Sequence, residues 1–264
     1  MNQIHAHLKQ AYYKAYETES LWVARNEFAK QVQSKIPLVS VLIPTHNRSL
    51  MLQERSLRSA VTQTYENIEI LVLAHGCTDE TVDVVKQFSD PRIRFVDVPR
   101  QKLGYPDRPD IQWFVAPVKP LNIGCRLASG SFLSVLGDDD IWKPNHLSKS
   151  IQYLNNRDLE FVSSLTSKIN DDGEMEIIGR DDLNGHVVGG VSTWVYRSYL
   201  KLFRWNIDSW KNSWNRPNDY DLATRMINRG VRMGFLNNVG HVWEKRPGQE
   251  KLGSHDYFDK MEDG

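Results

Sequence analysis

The feature that most constrains the fold is a series of short apolar runs that alternate with stretches of helical periodicity. Residues 38–44, 68–73 and 93–98 are rich in β-branched side chains and have the length of buried strands. Between them lie one helical stretch with Leu57 and Ala60 and another, opened by residues 79–81, with Val82 and Val85. Strands and helices at this spacing form right-handed βαβ units. The sequence therefore predicts an α/β fold with a mostly parallel central sheet flanked by helices.

Polar turns follow the apolar runs at the end where a parallel sheet binds its ligands. Residues 45–48 and 74–79 come after the first two runs, and residues 137–140 come after a fourth run at 132–136. Ligands of open parallel sheets lie beyond the carboxyl ends of the strands. We therefore expect the three turns to meet at one edge and to form a ligand site there.

The last of these turns carries three consecutive carboxylates, Asp138, Asp139 and Asp140. Crowded carboxylates repel one another unless a cation lies among them, and the run itself holds no lysine or arginine. Hard divalent cations such as Mg²⁺ or Mn²⁺ prefer these oxygen ligands. The alternative from this stretch alone is a solvated acidic turn that caps the following helix.

Composition excludes several classes of function. Lysine plus arginine and aspartate plus glutamate both number 33 in 264 residues, and a nucleic-acid-binding protein usually has a basic excess. No apolar run approaches the roughly 20 residues that cross a bilayer, and the first residues lack the pattern of a signal peptide. Two cysteines, Cys77 and Cys125, make no disulfide framework. These observations predict a soluble cytoplasmic protein.

The two ends of the chain differ from its centre. Residues 1–36 have helical spacing and predict an N-terminal helical arm, which packs either on its own domain or on a second copy in a homodimer; packing within the chain is the usual arrangement. Residues 247–264 predict a C-terminal tail.

Several short motifs stand in register along the chain: 39–48 (VSVLIPTHNR), 63–72 (QTYENIEILV), 76–81 (GCTDET), 122–124 (NIG), 128–130 (ASG) and 138–144 (DDDIWKP). Together they resemble the family 2 inverting glycosyltransferases of GT-A fold. The order and spacing match from about residue 37 to 150, and more loosely to about 246.

This resemblance implies a GT-A (Rossmann-like) fold at residues 37–246. Residues 37–142 would form the nucleotide-binding half, and residues 143–246 would form an acceptor half with a smaller mixed sheet. The implied activity is metal-dependent transfer of a sugar from a nucleotide-sugar to a hydroxyl acceptor.

The resemblance assigns the nucleotide base and ribose to the turn after the first strand, Thr45, His46, Asn47 and Arg48. Arginine's planar fork also suits diphosphate oxygens, so Arg48 is a candidate phosphate ligand. After the second strand the family usually has two aspartates, and here Ala74 and His75 stand in their place. A neutral histidine can still accept a hydrogen bond from the base.

At the carboxylates, the family pattern places Asp138 toward the ribose and the metal, and makes Asp139 the direct metal ligand. Gly137 stands where the first aspartate of the common pattern would be. Asp140 is expected to cap the helix that starts near Pro144.

In the second half, the family's general base maps to Asp219, with Asn218 in place of the usual acid. Asp221 is the rival, although an acidic side chain in the first turn of a helix is the simpler interpretation of it. The segment near the C-terminus that contains His241 and Arg246 resembles the closing segment of the family. By this resemblance His241 is a candidate metal ligand and Arg246 a candidate phosphate clamp. Trp205, Trp210 and Trp214 are predicted either to stack on an acceptor sugar or to pack in the core.

The resemblance thus implies a metal-dependent inverting glycosyltransferase of polysaccharide biosynthesis. Its cofactor would be Mn²⁺ or Mg²⁺, its donor a UDP-sugar rather than a GDP-sugar, and its acceptor a glycan, a polysaccharide or a glycolipid precursor. A nucleotidyltransferase is a rival, but residues 44–47 are not the glycine-rich, lysine-bearing loop of such enzymes. The other alternative is a carbohydrate-binding or scaffold protein on an impaired GT-A fold, which the substitutions at Ala74, His75, Gly137 and Asn218 favour.

Overall fold

The computed structural model describes residues 3–30, 34–100, 105–106, 112, 114–170, 173–179, 181–183, 185–211 and 217–244. Arg246, Trp214 and the predicted tail at 247–264 lie outside the described residues. None of the described helices is both long and apolar enough to span a membrane.

Eleven strands and seven α-helices are named here in chain order, within the described ranges. The strands are β1 (Val39–Thr45), β2 (Ile68–His75), β3 (Ile93–Val98), β4 (Phe132–Val135), β5 (Ile141–Trp142), β6 (Phe161–Ile169), β7 (Met175–Ile178), β8 (Asp181–Leu183), β9 (His186–Val188), β10 (Val195–Arg197) and β11 (Met233–Glu244). The α-helices are α1 (Gln3–Ala29), α2 (Ser49–Met51), α3 (Arg58–Val61), α4 (Thr81–Gln87), α5 (Val118–Leu127), α6 (His146–Asn156) and α7 (Asn218–Asn228). A π-helix, Leu52–Leu57, joins α2 to α3, and 3₁₀ turns occupy Val191–Thr193, Ser198–Leu202 and Ser209–Lys211.

One nine-stranded sheet runs in the order β3-β2-β1-β4-β10-β6-β11-β5, with β7 paired to β6. The first four strands of this order are parallel to one another, as the βαβ pattern predicts. Strand β10 is antiparallel to both of its neighbours, β4 and β6, whereas β11 is parallel to β6. The predicted α/β fold class is therefore confirmed.

In the second half, β6, β7, β10 and β11 continue the main sheet, whereas β8 and β9 form a small second sheet. The separate small sheet consists only of the antiparallel hairpin β8–β9.

Both faces of the parallel region are buried, because alternate side chains of β1 and β2 enter two different cores. Leu42 and Leu71 belong to one apolar cluster, and Val41 and Ile70 to the other. Such strands appear in the sequence as continuous apolar runs, which is why the pattern identified them.

Helix α1 packs on the domain of its own chain. Leu21 is buried in the first apolar cluster. The described ion pairs between the helix and the domain join Glu17 to Arg225 and Arg229, and Arg25 to Glu160. The predicted packing of the arm within the chain is confirmed by these contacts.

Candidate functional site

The three polar turns lie at one edge of the sheet. Strand β1 is paired with β2 on one side and with β4 on the other, with Thr45 opposite Ala74 and Leu42 opposite Val135. The carboxyl ends of these strands are therefore adjacent, and the turns at 45–48, 74–79 and 137–140 leave from the same edge.

The first two turns are tied together by Asn47. Its backbone has a positive φ of 50°, a conformation that asparagine tolerates better than most residues. Its side-chain oxygen accepts a hydrogen bond from the Thr78 backbone N–H at 2.7 Å, and its amide nitrogen lies 3.2 Å from Thr78 Oγ1. The structure thus gives Asn47 a role in holding the two turns together. Its predicted contact with the nucleotide-sugar stays a prediction.

Buried polar atoms converge where β1 and β2 end. Thr45 Oγ1, His46 Nδ1 and His75 Nε2 are buried and have no hydrogen-bond partner among the residues that the structure describes. An unsatisfied buried polar group costs roughly 1–3 kcal/mol, so such groups usually have a partner when the site is filled. All three belong to the predicted donor-binding set.

His75 is held in its neutral form. Burial, together with the electrostatic effects of Arg100, His46 and Lys119, lowers the pKa of His75 to about 4. The Tyr105 ring lies 5.8 Å from the His75 ring, centroid to centroid. A neutral imidazole has one donor and one acceptor nitrogen, both of which suit the edge of a nucleobase.

Arg48 reaches the carboxylates across the sheet edge. Its Nη1 lies 2.6 Å from Asp138 Oδ1 and 3.9 Å from Asp139 Oδ2. Burial opposes the charged form of Arg48, but the attraction of Asp138 and Asp139 outweighs it and raises the pKa of the guanidinium. The carboxylate turn has no lysine or arginine of its own, so its positive partner is the Arg48 side chain, 90 residues away in the sequence.

Asp140 does not cap the next helix, so that prediction is wrong. Helix α6 begins at His146 and has no side-chain hydrogen bond at its cap. The Asp140 carboxylate instead accepts a hydrogen bond from Ser192 Oγ and lies 3.1 Å from His241 Nε2. A Cβ at Gly137 would lie 2.6 Å from Asp140 Oδ2. The Asp140 carboxylate therefore occupies the space beside Gly137, which explains why this position holds no side chain.

His241 lies between two protein groups. Its Nδ1 is 3.0 Å from Thr166 Oγ1, and its Nε2 faces Asp140. The carboxylate that His241 is seen to contact is therefore that of Asp140. Its predicted role as a metal ligand stays a prediction.

The carboxylates suit a divalent cation that shares its ligands with a substrate. Within the described ranges, no three His, Cys, Asp or Glu side chains converge closely enough to hold an ion by themselves. Mg²⁺ at phosphate sites is commonly bound by one or two carboxylates together with the phosphates. Asp138 is buried and Asp139 is partly exposed, and together they supply that number of hard oxygen ligands.

Asp219 stands in the first turn of α7, at a small pocket. Burial raises the pKa of Asp219, and Asp181 raises it further, while backbone N–H groups of Tyr220 and of Asp219 itself oppose the shift. A carboxylate with a raised pKa is a stronger base than an ordinary one. The pocket is lined by Asp181, Leu183, Val188, Gly189, Gly190, Trp194, Asp219, Tyr220 and Ala223.

The neighbours of Asp219 have other roles. Asp221 accepts a hydrogen bond from Arg225 Nε at 2.8 Å, so this carboxylate is part of a structural ion pair. Asn218 donates its backbone and side-chain N–H groups to the Phe114 carbonyl. Trp205 is buried and stacks on Trp194 at 6.2 Å, which makes it a core residue and not an exposed platform.

Sequence reasoning missed three polar residues that contact the carboxylate turn. Arg55 and Ser56 bind its backbone carbonyls from the π-helix, and Ser192 binds Asp140 and the Gly137 N–H. Their places follow from the packing of distant segments, and no local pattern marks them. The same stretch also contains Gln53, Glu54 and Arg58, so the polar character of Arg55 and Ser56 did not distinguish them.

Comparison with known proteins confirms the resemblance drawn from the motifs. Residues 40–106 match the model described as "Glycosyl transferase family 2". The UDP-Glc:alpha-D-GlcNAc-diphosphoundecaprenol beta-1,3-glucosyltransferase WfgD of Escherichia coli is 29% identical over 151 residues, which cover 57% of this chain and 51% of that protein. The chain spans about a third or less of the length of several other curated relatives that it matches.

Two solved structures that bind nucleotide-sugars have the same fold. Staphylococcus aureus TarS 1–349 in complex with UDP-GlcNAc aligns with a TM-score of 0.59 and 18% identity, over 82% of this chain and 60% of that one. The mannosyltransferase PcManGT of Pyrobaculum calidifontis, in complex with GDP-Man and Mn²⁺, aligns with a TM-score of 0.58 and 17% identity, over 94% of this chain and 69% of that one. These likenesses show a GT-A fold.

Proposed function

Because the chain carries a family 2 glycosyltransferase segment on a GT-A fold, we propose that it transfers a sugar from a nucleoside-diphosphate sugar to a hydroxyl acceptor, with a divalent cation and with inversion at the anomeric carbon. The observation that carries this proposal is the group of buried polar atoms without described partners on Thr45, His46 and His75. They lie at the sheet edge that also holds Asp138 and Asp139.

The nucleoside end of the donor would bind at the ends of β1 and β2. Neutral His75 offers a hydrogen bond to the base, and Thr45 and His46 offer polar atoms to the base and ribose. TarS binds UDP-GlcNAc and PcManGT binds GDP-Man, so both nucleotides belong in the test. We favour a UDP-sugar as the donor, as the sequence interpretation did.

The diphosphate would lie beside the carboxylate turn. Arg48 is the described cationic side chain that contacts Asp138, and its guanidinium can also bind phosphate oxygens. Arg246 is proposed as a further phosphate contact. Asp138 and Asp139, with His241 as a candidate third ligand, would hold a divalent cation, which when bound offsets the charge that grows on the departing diphosphate.

The acceptor would enter at the Asp219 pocket. The Asp219 carboxylate accepts the proton of the acceptor hydroxyl while the hydroxyl oxygen bonds to the anomeric carbon. The bond from that carbon to the diphosphate oxygen breaks, and its electron pair leaves with the nucleoside diphosphate. Attack from the face opposite the leaving group inverts the configuration, so a single carboxylate base suffices. A glycan or glycolipid precursor fits this role, since WfgD acts on such an acceptor.

The test is turnover of UDP-glucose, UDP-GlcNAc and GDP-mannose with Mn²⁺, followed by ¹H NMR of the anomeric proton of the product. An α-linked donor should give a β-linked product. Asp219→Asn should lower kcat by about 10²- to 10⁴-fold, the usual contribution of a general base, and leave the donor Kd within about twofold. Because burial raises the pKa of Asp219, the acid limb of the wild-type rate profile should lie above the pH of an ordinary aspartate.

Asp221→Asn is the matched control, since it loses a structural ion pair two residues away; it should lower the melting temperature and retain kcat. A retained anomeric configuration, or an Asp219→Asn variant as active as wild type, would contradict the assignment. Nucleotide binding without turnover of any donor would favour the alternative, a carbohydrate-binding protein on an impaired fold.

A further inference from the structure

The helix that follows the first turn contains a complete π-helical segment, Leu52–Leu57, between α2 and α3. π-helical turns are rare and occur mostly at functional sites. This segment carries Arg55 and Ser56, whose side chains point to the carboxylate turn. No step of the proposed reaction uses either residue.

Arg55 binds two separate parts of the chain at once. Its Nη1 donates to the Asp139 carbonyl at 3.2 Å and to the Glu244 carbonyl at 3.4 Å, and its Nη2 lies 2.7 Å from Glu244 Oε2. Glu244 is the last residue of β11. The guanidinium therefore joins the turn that bears Asp139 to the carboxyl end of the longest strand described.

The same helix holds the turn at two further points. Ser56 Oγ donates to the Asp138 carbonyl at 3.3 Å, and Ser59 Oγ accepts a hydrogen bond from the Trp142 backbone N–H at 3.1 Å. These contacts therefore hold the backbone of the segment from Asp138 to Trp142.

We propose that Arg55 is a positioning residue, which fixes the Asp139 backbone between the π-helix and the end of β11 so that the Asp139 carboxylate is oriented toward a cation. This inference rests on the proposed function, in which Asp139 is a ligand of the cation. Groups that orient metal ligands commonly contribute 10- to 100-fold in metal affinity. Arginine is required because its planar fork reaches the three acceptors together, whereas the compact ammonium of lysine cannot.

Two variants of Arg55 separate its charge from its geometry. Arg55→Met removes both, and Arg55→Lys keeps the charge. Arg58→Met is the matched control, because Arg58 is an exposed arginine three residues further along the same helix. The melting temperature of each protein is measured first, and each titration is made at least 15 °C below it.

The first measurement is the apparent Kd for Mn²⁺ in the presence of saturating UDP, by calorimetry. We expect Arg55→Met to raise it by 10- to 100-fold, Arg55→Lys to raise it by a smaller factor that still exceeds threefold, and Arg58→Met to leave it within twofold of wild type. Recovery of UDP affinity at high Mn²⁺ should be complete in Arg55→Met, since the nucleoside contacts are intact.

The second measurement is amide hydrogen exchange of the peptide that covers residues 137–142, without metal or nucleotide. Exchange should be faster in Arg55→Met than in wild type and Arg58→Met. Equal Mn²⁺ affinity in Arg55→Met and Arg58→Met overturns the inference, and so does equal exchange. If wild type binds no nucleotide, the proposed function fails. The exchange measurement still tests whether Arg55 fixes the Asp139 backbone, because it needs neither metal nor nucleotide, and unchanged exchange in Arg55→Met would overturn that part.

Discussion

His75 occupies a position at which an ionised aspartate would be expected to accept a hydrogen bond from the base, yet its surroundings are cationic. Arg100, His46 and Lys119 all disfavour its protonation, in addition to the effect of burial. An aspartate would be attracted to the same three groups. Replacing it by a neutral imidazole removes a negative charge from the site and keeps a ring nitrogen that can hydrogen-bond to a neutral base edge.

We expect the contribution of His75 to UDP binding to be independent of pH between 5.5 and 8. Because the pKa of His75 is lowered to about 4, the ring stays neutral over that range, whereas an ordinary histidine would become protonated near 6.5. His75→Ala should weaken UDP binding by about tenfold, which corresponds to one lost hydrogen bond of about 1.4 kcal/mol. Calorimetry of both proteins at pH 5.5 and pH 8 measures the ratio of their Kd values.

The ratio cancels the titration of the nucleotide itself, which is common to both proteins. His186→Ala, at an exposed histidine in β9, is the control and should bind as wild type does. A wild-type advantage that disappears between pH 8 and pH 5.5 would show that His75 titrates near 6.5 and would contradict this account.

At the scale of elements, α1 is attached to the domain through a buried carboxylate. Glu160 is fully buried and accepts hydrogen bonds from Arg25, from Tyr199 Oη at 2.6 Å and from the Arg232 backbone N–H at 2.8 Å. Burial raises the pKa of Glu160, but these donors outweigh it and the net pKa is lowered. The helix therefore stabilises a charge that the domain would otherwise hold with fewer donors.

We expect Arg25→Met to lower the free energy of unfolding by about 2 kcal/mol, the scale of hydrogen bonds to a charged group. The loss should be full above the unfolded pKa of Glu160, near 4.5, and should shrink as pH falls through the lower folded pKa, because the protonated carboxyl needs the arginine less. Urea denaturation at pH 7 and at pH 3.5 measures both values.

Glu19→Ala, at an exposed position of the same helix, is the control. It should change the free energy of unfolding by less than about 0.5 kcal/mol. A loss for Arg25→Met that is the same size at both pH values would contradict the assigned role of Glu160.

At the scale of the whole molecule, the sequence predicted the parallel half of the sheet and much of its ligand edge. Strands β1, β2 and β3 were predicted nearly at their observed bounds, because strands buried on both faces are continuous apolar runs. The position of β10 was not predictable: it enters antiparallel between β4 and β6, and nothing in three residues specifies their partners.

The same limit applies at the site. The carboxylate turn was evident from its residues, but the contact of Arg48 with Asp138 joins positions 90 residues apart. Asp140 was expected to cap a helix from its position in the chain, and the contacts with Ser192 and His241 come from packing alone. The polar residues that directly follow a strand could thus be identified from the sequence. The distant residues that contact them could not.

Calorimetric titration of UDP and of GDP, each with and without Mn²⁺, tests the central claim most directly. Wild type and Asp139→Ala are compared, with Asp83→Ala at an exposed carboxylate of α4 as control. The account predicts that one nucleotide binds wild type and Asp83→Ala only with Mn²⁺, and that Asp139→Ala loses at least tenfold in affinity. Failure of both nucleotides to bind wild type under every condition, or binding that neither Mn²⁺ nor Asp139 affects, would contradict a metal-dependent donor site at this sheet edge.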